Sequence, residues 1–339
     1  MLLLDYVAQC TQPFVVEHSS GGTWRLVGAS DSAKEVRHCP LRYVVADDLL
    51  RACIELAYSE GAGLSACLDL VHFPAEQLWV EWSSAVQREE LARMLPECAR
   101  AGSSDSVRQG VLISADATGR TGRFRSFWLT PTDPAEPVMA AVETLVDLSG
   151  CSQLSPAEGL LEGGPVGIRD PQNVQIDNLL QCTSFRLEAS WQGYYAAEAG
   201  PAADRNDITK SLLGTVAFSG PLLIALFLLV GLRSELEHTE VSRERINAKR
   251  LRLGRRPLLS HIEVSCPVLA AERRVESKAE FGASRTGPRL HHVRGHIVRR
   301  EDVIFWRRSH WRGHLRLGSV RTRTVTLRLP RAAAPSRAT

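Results

Sequence analysis

Ser211 to Leu232 is a run of 22 residues without a charged side chain, long enough to span a hydrocarbon core of ~30 Å. A chain with such a run must either place it across a bilayer or build a protein core around it. Gly214, Ser219, Gly220 and Pro221 interrupt its first half, which leaves Leu222 to Leu232 as a shorter run typical of a buried helix. The flanks also disagree with a span. The Arg-rich sequence after Leu232 belongs on the cytoplasmic side, and about two hundred preceding residues would then have to be exported. Met1-Leu-Leu-Leu-Asp5 carries no basic segment and meets an acid after three leucines, unlike a signal peptide. The expectation is a buried core helix in a cytoplasmic protein, with a single-span membrane protein as an alternative.

The same run separates two bodies of opposite charge. Up to Leu232, 16 Lys and Arg face 28 Asp and Glu, whereas from Arg233 onward 25 face 10. A basic segment is drawn to polyanions and an acidic one repels them. Alternatively, the two halves neutralise each other across an interface. Cysteines at 10, 39, 53, 67, 98, 151, 182 and 266 form no Cys-x-x-Cys pair and no short framework. They read as small buried hydrophobes in a reducing compartment.

Local patterns predict a mixture of helices and strands. Phe14–Glu17 and Thr23–Val27 are β-like, and Asp47–Tyr58 places Leu49, Leu50, Cys53, Ile54, Leu56 and Ala57 at helical spacing. Gln77–Trp82 alternates as a strand, followed by a helix from Gln87 to Cys98. Val107–Ser114 and Arg123–Leu129 flank a polar, Gly-containing turn and predict a β-hairpin. Pro131, Pro134 and Pro137 precede an apolar run, Val138 to Leu148, read as a helix. Ala199–Asp207 is the candidate boundary. Beyond it, Ser242 can cap a helix that runs to Leu253 and ends at Gly254 and Pro257. On that helix Arg245, Lys249, Arg252 and Arg256 would form one cationic stripe, with Ile246 and Leu253 on another face. From Leu290 onward the pattern turns to short alternating runs, the last being Val320–Leu329.

Few constellations carry chemistry. His292-x3-His296 and His310-x3-His314 have ligand spacing for a helix, but in strands such pairs lie ~13 Å apart, too far for one ion. No metal and no cofactor is expected. There is no Gly-x-Ser-x-Gly elbow, Walker loop or His-Glu-x-x-His, and Gly61-Ala-Gly63 lacks the third glycine of a dinucleotide fingerprint. Glu76, Glu81 and Glu89 are candidate acid–base carboxylates only in the sense that any scattered carboxylates are. No catalytic residue is assigned. Trp306, Arg307, Arg308, His310, Trp311, Arg312, His314 and Arg316 interleave aromatic and cationic groups, as a nucleic-acid surface requires. The same interleaving arises when a small sheet packs Trp inward and turns Arg outward.

Ile246-Asn-Ala-Lys-Arg-Leu-Arg-Leu-Gly-Arg-Arg-Pro-Leu-Leu259, followed by His292-Val-Arg-Gly-His296, Ile304-Phe-Trp306 and His310-Trp-Arg-Gly313, resembles uncharacterised proteins encoded by bacterial prophages and related mobile elements. The pattern of that group is Asn-x-x-Arg-x-x-x-Gly-x-x-Pro-Leu, then His-x-Val-Arg-Gly-His, for which His291 is available here as the first residue, then an aromatic-His-x-Arg-Gly, of which His310-Trp-Arg-Gly313 matches the last four positions. Trp79-Val-Glu-Trp82 and Arg108-Gln-Gly-Val-Leu112 look like the N-terminal part of that group. The resemblance implies a phage-type cytoplasmic protein with a buried helix before Asn247, and it transfers no catalytic residue.

The expected fold is α+β. Residues 1–198 form an acidic mixed domain and 199–207 a linker. Residues 208–330 hold the central buried apolar helix, a basic helix and a small antiparallel β module, and 331–339 a disordered tail. The expected function is non-catalytic binding of DNA or RNA through Arg245, Lys249, Arg252, Arg294, Arg299, Arg300, Arg307, Arg308 and Arg312. The alternative from another class is a structural or interaction factor whose basic region docks on an acidic protein surface.

Overall fold

Alternation in Gln77–Ser83 and the turn after Ala115 set up the centre of a large mixed sheet. The computed structural model describes residues 1–17, 21–59, 64, 67–94, 106–131, 136–149, 158–161, 164–167, 183–198, 219–231, 236–266, 289–293, 296–300, 303–307, 310–312 and 314–320. It is of the α+β class. The helices are α1 (Leu3–Gln9), α2 (Ala29–His38), α3 (Asp47–Ser59), α4 (Ser84–Met94), α5 (Ala189–Glu198), α6 (Ser219–Gly231) and α7 (Glu244–Arg252). The strands of the first compact unit, Met1–Ala271, are β1 (Phe14–Glu17), β2 (Thr23–Leu26), β3 (Leu41–Val45), β4 (Gln77–Ser83), β5 (Arg108–Ala115), β6 (Thr121–Leu129), β7 (Pro137–Asp147), β8 (Glu158–Leu161), β9 (Gly164–Gly167), β10 (Thr183–Leu187), β11 (Glu237–Val241) and β12 (His261–Ser265).

Ten strands form one sheet in the order β11-β12-β3-β4-β5-β6-β7-β10-β8-β9. β12, β3 and β4 run parallel, and β4 to β7 and β10 form an antiparallel meander. The β5–β6 hairpin closes on Gly119, whose φ of 66° favours glycine. Successive strand residues face opposite sides. Trp79 accordingly packs with Leu3, Leu4 and Val7 of α1, Val36 of α2 and Phe127 of β6. On the opposite face Phe124 meets Phe73, which meets Phe227 of α6 edge-to-face at 5.4 Å. Gly110 is required by this packing, because a Cβ there would stand 2.5 Å from the Trp79 ring.

Glu81 is the polar centre of the first layer. It is fully buried, and its two oxygens accept the N–H groups of Leu3 at 2.8 Å and Leu4 at 2.9 Å. They also accept Trp79 Nε1–H at 3.2 Å and an ion-paired bond from Arg108. The first N–H groups of a helix have no intrahelical acceptor and carry partial positive charge. A carboxylate therefore satisfies α1, and Arg108 balances the buried charge.

Several expectations are corrected. Val138–Leu148 is not a helix: Pro137–Asp147 is strand β7, paired with β6 on one side and β10 on the other. Met139 to Thr144 are all buried, so an interior strand covered on both faces presents a continuous apolar run rather than alternation. Tertiary pairing overrides the helical propensity of its Met and Ala. The helix expected from Gln87 begins earlier, at Ser84. The expected linker 199–207 lies outside the described residues. β12 pairs in parallel with β3, and Ala46 N–H donates to the Val264 carbonyl at 2.9 Å. Residues 219–266 thus share the N-terminal sheet, and the second unit begins at Glu272.

α6 is 13 residues, of which Ser219 to Leu229 are buried. At 1.5 Å per residue it is about 20 Å long, short of a ~30 Å hydrocarbon core. It packs on α3 and on the turn Leu68–Leu70, with Ser219 Oγ accepting from Gln109 Nε2 at 2.9 Å. Among the described residues no helix is long and apolar enough to cross a membrane. The described cysteines 39, 53, 67 and 266 are buried, and burial pushes the Cys53 thiol well up.

In the second unit β13 (Arg289–Val293) pairs antiparallel with β16 (His310–Arg312) and parallel with β17 (His314–Val320). β14 (His296–Arg300) and β15 (Val303–Arg307) form an antiparallel pair. The expected purely antiparallel module therefore contains one parallel pairing, which requires a crossover connection. The 331–339 tail lies outside the described residues.

Glu81→Ala is expected to lower stability by about 3–5 kcal/mol, because it strands a partly buried guanidinium, a buried indole N–H and two buried helix N–H groups. Glu89→Ala, which removes an exposed carboxylate from Arg51, should cost less than about 1 kcal/mol. Urea unfolding of both variants checks this. Equal losses would remove Glu81 from its central place.

Candidate nucleic-acid interface

Nearly every described cation of the N-terminal body has a local task. Arg25, Arg51, Arg93, Arg108, Arg123, Arg125 and Arg186 each pair with a carboxylate. Arg37 donates to the Ala8 carbonyl at the end of α1, and Arg42 to the Val36 and Arg37 carbonyls at the end of α2. Arg88 binds the Ser106 carbonyl, and Arg120 those of Leu68, Val71 and Leu148. These guanidiniums satisfy orphan acceptors, the helix-end ones lying where cations are favoured. Every described arginine up to Arg186 is accounted for in this way.

α7 is different. None of its residues is buried, and Arg245, Lys249 and Arg252 are exposed. Their side chains form no hydrogen bond or ion pair with a described residue, and neither does that of Arg255, whose backbone N–H donates to the Arg250 carbonyl at 2.9 Å. At about 100° per residue they fall within an arc of about 60° on one side of the helix. The predicted stripe is thus present over three cations. Arg256 leaves it: the helix stops at Arg252, Gly254 takes a φ of 67°, and Arg256 donates to the Gln9 carbonyl at 2.6 Å. The N-cap is Arg243 rather than Ser242, whose hydroxyl accepts from Glu244 N–H at 3.4 Å.

A nine-residue helix without a buried face needs other support. Asn247 supplies it. Its Nδ2–H donates to the Leu258 carbonyl at 2.8 Å, and its Oδ1 accepts Leu258 N–H at 2.7 Å. Arg250 Nε–H donates to the Arg256 carbonyl. The following loop is tied to α1, since Asp5 accepts Leu259 N–H at 2.8 Å and Gln9 donates to the Pro257 carbonyl at 3.4 Å. The residues specified by Asn-x-x-Arg-x-x-x-Gly-x-x-Pro-Leu are those that build this clasp. Sequence reasoning took Asn247 and Arg250 as motif letters and missed their structural work. An amide inside an otherwise cationic helix was the available signal.

Below the clasp, His261 begins β12 and is buried. Burial pushes its imidazole below the ordinary range, and the Arg243 charge adds to this against a bond to the Leu259 carbonyl. Protonation is therefore disfavoured in the folded state.

The other predicted residues belong to the second unit. Arg299 and Arg300 lie in β14 opposite Ile304 and Val303, Arg307 in β15 opposite His296, and Arg312 in β16 opposite His291. Arg294 and Arg308 lie outside the described residues. Among the described residues no group of His, Cys, Asp or Glu is placed to hold a metal ion. The scattered carboxylates do not make an acid–base pair: Glu81 is buried beneath α1, while Glu89 pairs with Arg51 at the surface. Comparison with family models, curated proteins and solved structures gives no match.

Asn247→Ala should speed amide exchange in residues 244–258 while leaving the sheet amides protected, with a stability loss of about 1–3 kcal/mol. Unchanged exchange there would mean the clasp does not hold the helix. For His261, a lowered folded pKa gives stability that is complete above the unfolded value of about 6.5 and is lost as the pH falls through the lower folded value. His261→Gln should flatten that acid limb in unfolding measured between about pH 7.5 and 5.5.

Proposed function

We propose that this chain is a non-catalytic nucleic-acid-binding protein of the prophage or mobile-element type, acting through its basic C-terminal third. The observation that carries the reading is the contrast in cation use: the described arginines up to Arg186 are committed to internal partners, whereas Arg245, Lys249 and Arg252 stand exposed and unpaired among the described residues on one clasped helix. Exposed, unneutralised cations in register are what phosphate contact needs, because releasing condensed counterions drives association. Arg294, Arg299, Arg300, Arg307, Arg308 and Arg312 would extend the footprint within the basic β module. Net positive charge after Leu232 supports a polyanionic partner, and the Trp and His residues interleaved with these arginines supply base-stacking groups. The prophage resemblance adds an origin in which DNA or RNA is at hand, and nothing in it calls for catalysis.

Charge reversal tests this directly. Arg245→Glu/Lys249→Glu/Arg252→Glu should weaken binding of the full chain to random-sequence nucleic acid by at least about 100-fold and flatten the log–log salt slope by roughly three units. Reversal at Arg307, Arg308 and Arg312 should act in the same direction. Unchanged affinity in both variants would sink the reading. Binding that appears only in a fragment beginning at Arg233 would instead favour a basic region docked on the chain's own acidic surface.

A further inference from the structure

We infer that α7 contacts single-stranded rather than duplex nucleic acid, with its cationic arc on the phosphates and its flanking aliphatic side chains against unstacked bases. This inference rests on the nucleic-acid reading above and specifies the ligand for the same helix. Ile246, Leu251 and Leu253 are 46%, 61% and 60% exposed, an unusual concentration of large apolar groups beside unpaired cations. Their angular placement decides which polyanion fits. At about 100° per residue, Ile246 and Leu253 lie together on one side of the arc of Arg245, Lys249 and Arg252, and Leu251 lies beyond the other side, roughly 220° from Ile246 measured across the cations, with exposed Glu244 between it and Arg252. The remaining side is taken by Asn247 and its bonds to Leu258.

An anionic bilayer is poorly served by this pattern. A helix lying in a lipid interface buries one contiguous apolar face and keeps its cations at the margin. Here the cations occupy the centre and the aliphatics are divided between two sides. A duplex uses the cations but leaves the aliphatics against sugar and phosphate, since its base faces are stacked on one another. A single strand offers both chemistries together: a phosphate run for the cationic arc and free base faces that cover apolar side chains on either side. The polar clasp keeps this surface open to solvent. Because α7 does not need its aliphatics for folding, they stay available to a ligand.

The test uses the full chain in fluorescence anisotropy with a labelled oligo(dT) strand of about 20 nucleotides and a mixed-sequence duplex of similar length. Oligo(dT) is expected to bind at least about 10-fold more tightly than the duplex. Ile246→Ser/Leu253→Ser should lose about 10-fold in oligo(dT) affinity, with the salt slope and duplex affinity unchanged. Since both side chains are exposed, the thermal midpoint of that variant should match the parent's. Tighter duplex binding, or an aliphatic variant that binds oligo(dT) normally, overturns the single-strand inference and leaves the charge-based reading standing. If neither nucleic acid binds in a manner sensitive to Arg245, Lys249 and Arg252, both fall. Phosphatidylserine vesicles are the third arm, and vesicle binding that depends on Ile246 and Leu253 in place of oligo(dT) binding overturns the inference in favour of a membrane.

Discussion

A single buried carboxylate holds the first unit in register. Glu81 lies at the centre of β4 and receives the first N–H groups of α1, the indole of Trp79 and the guanidinium of Arg108 on the neighbouring strand. Removing a carboxylate from water is costly, and four donors of positive or partly positive character offset that cost only if all arrive together. The arrangement therefore fixes α1 against the sheet in one orientation. That orientation carries further, because Asp5, on the turn that Glu81 anchors, accepts Leu259 N–H from a residue 254 positions away. Sheet, first helix and basic loop thus form a continuous polar chain, and the position of α7 descends from it through Leu258 and Asn247.

The same economy explains why net charge alone describes this protein badly. The acidic body contains many arginines, yet the described guanidiniums are placed on helix-end or loop carbonyls or on carboxylates, where they act as structural donors. Arg37 and Arg256 both serve carbonyls in the last turn of α1. Arg42 does so for α2. Such cations are matched by local acceptors or carboxylates and contribute less to a field outside the molecule than free ones do. What distinguishes α7 is the absence of those local tasks at three adjacent positions, rather than a greater number of charges.

Much of the fold was legible where one face of an element meets solvent or a turn is explicit. Asp47–Tyr58 showed helical spacing because α3 buries one side, and the β5–β6 hairpin showed itself through its polar glycine turn. β7 was misread because an interior strand loses the alternation that marks strands, and Met, Ala and Glu favour helices in isolation. The boundary near 199–207 was plausible from composition but could not reveal that β12 returns to pair with β3, a contact made across more than two hundred intervening residues. For the candidate site, the cationic stripe was legible as spacing. Its end was not, since Gly254 and Pro257 mark a stop without showing that Arg256 turns inward to Gln9. Glu81 reads in the sequence as an ordinary carboxylate because nothing local distinguishes a buried anion from a surface one.

The Asn-x-x-Arg-x-x-x-Gly-x-x-Pro-Leu pattern beginning at Asn247 admits two physical explanations, and the clasp separates them. If Asn247, Arg250, Gly254 and Pro257 contacted ligand, their side chains would be free of internal bonds or, for Gly254, placed for close approach. Instead Asn247 and Arg250 bond the loop, Gly254 supplies the left-handed turn and Pro257 presents its carbonyl to Gln9. The pattern residues build the support, and the intervening positions Lys249, Leu251, Arg252 and Leu253 form the presented surface. A rigidly held helix loses less conformational freedom on binding than a disordered basic segment would. This division lets the exposed positions change to suit different ligands while the clasp keeps its geometry, because the two sets of side chains share no bonds.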